Sequence, residues 1–129
     1  MADKSSLLKL FNNHLLEFID DVISIFPENL DLKTGKTFIE GLKRVNPRQI
    51  IKIWQTCIVV PYQTEIEAGD QSFFLNKDYT NDLPQDGGKA LQMLENMRSL
   101  LKSTSQENRE KAMKYVQNLT KISKMYYIN

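Results

Sequence analysis

The chain has 129 residues, with 17 Lys and Arg against 16 Asp and Glu, a formal net charge of +1, one cysteine and one histidine. That length can bury a core without disulfides or metal, and the near balance of charge excludes a uniformly basic nucleic-acid binder. The lone Cys57 and lone His14 exclude an intrachain disulfide and a Cys/His zinc site, so a single domain over residues 1–129 with no cofactor is expected.

In chain order, Asp3 or Ser5 is placed to cap a first helix. Its Leu7, Leu8, Phe11, Leu15, Phe18, Ile19, Val22 and Phe26 keep the i, i+3, i+4 spacing until Pro27. Lys9, Asn12, Asn13 and Glu17 interrupt its leucines, so neither a secretion signal nor a membrane span is expected, and the chain reads as intracellular. Asp31 is placed to start a second helix with Phe38, Ile39, Leu42 and Val45 as its inward stripe, weakened by Gly35 and Gly41. Asn46-Pro47 ends that helix and launches a third. On a wheel of about 100° per residue, Ile50, Ile51, Ile53, Trp54, Cys57, Ile58 and Val60 fill half its circumference. Such a helix packs on more than one side, which puts Trp54 at the centre of the core. Pro61 then kinks the helix or opens a new turn through Ile66 and Ala68, and Gly69 stops it.

From Asp70 to Gly88 short apolar pieces (Phe73-Phe74-Leu75, Tyr79, Leu83) alternate with Asn, Pro and Gly, which reads as a long ordered acidic loop pinned by its aromatics. A fourth main helix carries Ala90, Leu91, Leu94, Met97, Leu100 and Leu101. After the Ser103-Thr104-Ser105 break, Ser103 with Gln106 reads as a capping box opening a fifth. There Ala112, Tyr115, Val116, Leu119, Ile122 and Tyr126 form the buried stripe, and Lys111, Lys114, Lys121 and Lys124 share another face. The expected fold is therefore all-α: one compact bundle of five main helices plus short helical turns, with the acidic loop between the third and fourth.

Three constellations bear on function. Lys33, Lys36, Lys43, Arg44, Arg48 and Lys52 are opposed locally only by Glu40, and the wheel places Lys36, Lys43 and Arg44 opposite the apolar stripe. The candidate interaction surface is Lys36, Lys43, Arg44, Arg48 and Lys52. It is either a phosphate-binding face or a solvated one with Lys36, Glu40 and Arg44 in i, i+4 pairs. The tight Val45-Asn46-Pro47 junction suits a helix-turn-helix, but only Arg48, Gln49 and Lys52 could reach base edges.

The second constellation, Glu65, Glu67, Asp70, Asp78, Asp82 and Asp86, is opposed within its stretch only by Lys77. Asp78-x-Thr80-x-Asp82 imitates alternating calcium ligands, yet Leu83 stands where the turn glycine belongs and Lys89 where the bidentate Glu belongs. Self-complementarity with the basic helices, within one molecule or between copies, uses these acids better. Third, a Cys57–His14 dyad would need an orienting group and an open cleft, whereas both residues read as inward-facing; a small core thiol and a boundary histidine are the simpler assignments. The mid-helix Asn118-Leu119-Thr120 sequon is a chance match.

The runs Phe11-Asn12-Asn13-His14-Leu15-Leu16-Glu17-Phe18, Ile25-Phe26-Pro27, Asn46-Pro47-Arg48, Trp54, Pro61-Tyr62, Phe73-Phe74-Leu75-Asn76-Lys77-Asp78-Tyr79 and Glu110 to Thr120 resemble a small uncharacterised protein family of nucleocytoplasmic large DNA viruses, including marseillevirus-like giants. The likeness covers most of the chain and carries no motif tied to a reaction. It implies a virion or a viral factory in host cytoplasm. The expected function is a non-enzymatic interaction protein acting through charged surfaces on a viral or host protein, with homo-oligomerisation open and no membrane partner. The alternative is nonspecific nucleic-acid binding through the second and third helices.

Overall fold

The computed structural model describes residues 3–75 and 88–128, and every regular element among them is helical. The elements are α1 (Lys4–Ile25), α2 (Leu30–Val45), α3 (Pro47–Trp54), a π segment (Gln55–Val59), α4 (Val60–Ala68), the single turn α5 (Ser72–Leu75), α6 (Gly88–Lys102) and α7 (Gln106–Ile128). Counting α3, the π segment and α4 as one kinked rod gives the five main helices expected. Asp78, Asp82 and Asp86 of the acidic loop lie outside the described residues, as does the calcium-like triplet. Among the described residues no helix is long and apolar enough to cross a membrane.

Local chemistry sets the boundaries. Asp3 caps α1 by accepting from the Ser6 amide at 2.7 Å, and that bond holds its carboxyl below the usual Asp range. The α2 cap is Asn29, which accepts from the Leu32 amide at 3.0 Å; Asp31 falls inside the first turn. Gly69 ends α4 at φ +67°, with its own amide on Ile66 O and that of Asp70 on Glu65 O, a paired closure favoured by glycine's freedom at positive φ. The α7 cap is Ser105, whose Oγ accepts from the Asn108 amide at 3.1 Å. The expected Ser103 capping box is thus corrected by two residues, because Ser103 turns its hydroxyl back to Leu100 O at 2.8 Å.

The central rod departs from a uniform α-helix just before Pro61. The Val60 amide donates to Gln55 O, five residues back. Proline lacks an amide and its ring presses on the carbonyl four residues earlier, that of Cys57; a widened turn relieves this crowding. Tyr62, at φ −125° and ψ 16°, absorbs the remaining bend. Residues in a wider turn each advance by less than an α-helical step, so the rod's phase slips. Val59 is therefore buried at 1 % exposure and Val60 stands 70 % exposed, reversing the expectation that Val60 faces the core.

Packing follows from these faces. Helix α1 runs antiparallel to α7, with Lys4 over the Tyr126 ring at one end and Phe18 stacked on Tyr115, centroids 5.1 Å apart, toward the other. Trp54 is 2 % exposed, meets Phe11 edge-on at 6.0 Å and donates its indole N–H to Thr120 Oγ1 at 3.2 Å, which satisfies the one polar atom of the largest core side chain. The α2 stripe is corrected: Leu32, Gly35, Ile39 and Leu42 face inward, whereas Val45 is 84 % exposed and Phe38 lies at the surface. Gly35 lets α2 approach α6 closely, since a Cβ there would collide with Met93 Sδ.

Candidate interaction face

The five basic residues singled out from sequence divide into two sets. Because the true α2 stripe runs through Leu32, Gly35, Ile39 and Leu42, Lys36 and Lys43 flank it rather than oppose it, and both lean onto α1. Lys36 Nζ lies 2.6 Å from Asp20 Oδ1, and this hydrogen bond holds the ammonium above the ordinary Lys range. Lys43 Nζ donates to Asn13 Oδ1 at 2.6 Å. The expected Lys36–Glu40–Arg44 ladder is replaced by this bond from Lys36 to α1. Arg44, Arg48 and Lys52 are exposed and form no ion pair among the described residues.

The acids show the complementary pattern. Glu67 Oε1 accepts from Lys124 Nζ at 2.7 Å and from Gln63 Nε2 at 3.2 Å, the Lys124 bond being the larger cause of a carboxyl held below the usual Glu range. Asp70 Oδ1 accepts from the Ser72 amide and starts α5. The partner of Glu67 is thus a lysine of α7 and not, as expected of this stretch, a cation of the second or third helix.

The candidate dyad residues lie on different elements, His14 on α1 and Cys57 on the π segment. His14 Nδ1 is 3.5 Å from Glu17 Oε2 and its ring packs 5.1 Å from that of Tyr115, while Nε2 is buried with no hydrogen-bond partner among the described residues. Cys57 is half-buried in the π segment. No group of three or more His, Cys, Asp and Glu capable of holding a metal occurs among the described residues.

Three features escaped the sequence reading. Arg98 and Glu95, 4 % and 7 % exposed, form a buried pair with Nη1 3.0 Å from Oε1. Arg98 also donates to Phe73 O from Nη2 at 2.7 Å and from Nε at 3.2 Å, with its guanidinium over the Phe73 and Tyr62 rings. Burial pushes the Glu95 carboxyl up, and the Arg98 charge opposes this. Their i, i+3 spacing on a charged-looking helix gives no hint of burial; the rings over Arg98 come from α4 and α5. Second, two open grooves of about 260 and 200 Å³ flank Met93 between α2 and α6 and share Asp31 and Asn96. Among the described residues no Cys, His or Tyr lines either one. The void beside Trp54 is only about 10 Å³, room for a single water at most.

The third is a consequence of the π segment. Arg48, Lys52, Thr56 and Val60 are all exposed at four-residue steps along the outer side of the rod. Pro61 was the available signal, through the carbonyl it crowds. Searches against protein-family models, curated proteins and solved structures found no match to this chain.

Proposed function

We propose that this chain is an all-α interaction module of a large DNA virus, made in host cytoplasm and associated with the virion, that docks on a viral or host protein through a positively charged face. The reading is carried by one observation: Arg44, Arg48 and Lys52 stand exposed without an ion pair among the described residues, while Lys36, Lys43 and Lys124 are engaged internally. Charge left unmatched on a packed domain steers and selects a partner of opposite sign. The viral setting rests on the sequence resemblance alone.

Nucleic-acid binding is the second reading, favoured by Arg48 and Lys52 near the start of a helix that follows a tight turn. Three cations would give a log–log salt slope of about −2.7, at about −0.9 per phosphate. Co-purification of tagged protein from infected cells, with and without nuclease, separates the two. The interaction reading expects the same partner protein after nuclease treatment, and its loss when Arg44, Arg48 and Lys52 are all changed to Glu. Loss on nuclease treatment supports the nucleic-acid reading, and full retention by the charge-reversed variant overturns this face.

A further inference from the structure

We propose that Arg48, Lys52, Thr56 and Val60 form one docking ridge for an acidic amphipathic helix of a partner protein, with the π segment serving to bring Val60 into line with the two cations. The inference rests on the reading of this chain as an interaction module and adds the chemistry of what it binds. Three independent observations carry it.

The first is alignment. Arg48 and Lys52 lie one turn apart on α3, and a continuous α-helix would direct Val60 toward the core. The five-residue hydrogen bond from the Val60 amide to Gln55 O marks the widened turn, and Val60 emerges 70 % exposed on the side of Arg48 and Lys52. Thr56, also exposed, fills the step between them.

The second is charge. Helix α3 carries no acidic residue, and the next acids along the rod, Glu65 and Glu67, follow the Tyr62 bend, where Glu67 is held by Lys124 and Gln63. The ridge is thus positive at one end and apolar at the other.

The third is length. From Arg48 to Val60 the rod spans about 18 Å at roughly 1.5 Å per residue, which matches about three turns of a partner helix. Two carboxylates one turn apart would meet Arg48 and Lys52, and an apolar side chain about two turns further on would cover Val60. A phosphate backbone could use the cations but gains nothing from an exposed valine, so a protein helix fits the whole ridge and a polyanion only half of it.

The probe is an alanine-based helical peptide of about 18 residues, with a Glu pair one turn apart and a Leu pair two turns beyond, followed by fluorescence anisotropy against the full chain. Wild type is expected to bind it more tightly than duplex DNA of similar length. Val60→Ser should weaken binding about tenfold without changing the thermal midpoint, the effect of uncovering one apolar contact. Replacing the Leu pair of the peptide with Ser should remove that difference between wild type and Val60→Ser. Arg48→Ala with Lys52→Ala should weaken binding and flatten its salt dependence. No binding by wild type, unchanged affinity in Val60→Ser, or tighter binding of the duplex would each overturn the ridge. A cellular partner retained by Val60→Ser but lost on charge reversal would keep the interaction reading and overturn only the ridge.

Discussion

Two regions use the same kinds of side chain to opposite ends. Along the α1–α2 seam, Lys36 and Lys43 reach Asp20 and Asn13 at 2.6 Å each, so their charge and donors close a joint between helices. Along the outer side of α3, the π segment and α4, Arg48 and Lys52 point to solvent beside an uncovered Val60. In one dimension these cations form a single basic run. What separates them is which side of each helix the apolar stripe occupies: Gly35 against Met93 turns Lys36 and Lys43 of α2 toward α1, whereas α3 buries Ile50, Ile51, Ile53 and Trp54 and leaves Arg48 and Lys52 outside.

The contrast predicts that inward and seam substitutions change stability while ridge substitutions leave it alone. Trp54→Ala should lower unfolding free energy by about 3–5 kcal/mol in denaturant titration, from the cavity and the stranded Thr120 hydroxyl. Arg98→Leu should cost a similar amount, about 3–5 kcal/mol, because Glu95 and Phe73 O lose a shared donor in the interior. Gly35→Ala should destabilise by about 1–3 kcal/mol through overpacking, and combining it with Met93→Ala should recover part of that loss. Gly41→Ala, with no described residue near its Cβ position, should instead stabilise by about 0.5–1 kcal/mol. Arg48→Ala and Val60→Ser should each stay within about 0.5 kcal/mol of wild type.

Acidity sharpens the same comparison. Burial raises the Glu95 carboxyl above its ordinary value of 4.5, so between 4.5 and that higher value the folded chain binds more protons than the unfolded one. Its contribution to stability therefore falls as pH rises through that window, and Glu95→Gln should remove the fall. Glu67 is lowered by Lys124, so its contribution is present above 4.5 and is lost as pH falls through its lower folded value. Titrating stability with pH in wild type, Glu95→Gln and Lys124→Ala separates the two slopes.

Most of the architecture was legible because its signals are local. Asp3, Asn46-Pro47 and Gly69 act within one turn of themselves, and the α1 and α7 stripes follow strict helical spacing. Errors arose where a distant element set the outcome. Apolar character alone extends the α2 stripe to Phe38 and Val45; close approach to α6 instead selects Gly35 and Leu32. Glu95 and Arg98 look like a surface pair until Phe73 and Tyr62 are packed against the Arg98 guanidinium. Of the candidate face, the residues were legible and their division was not, since it depends on the α2 stripe that packing on α6 selects; the outward turn of Val60 was not legible either, since a wheel at constant pitch cannot register a widened turn.

The most direct test places a thiol on either side of the phase slip. In a Cys57→Ser background, Val60→Cys should react with a thiol reagent at nearly the rate of an unstructured peptide, whereas Val59→Cys should be protected until the chain opens. Equal rates at the two sites, or faster reaction at position 59, would contradict the widened turn and the outward line of Arg48, Lys52, Thr56 and Val60 that depends on it.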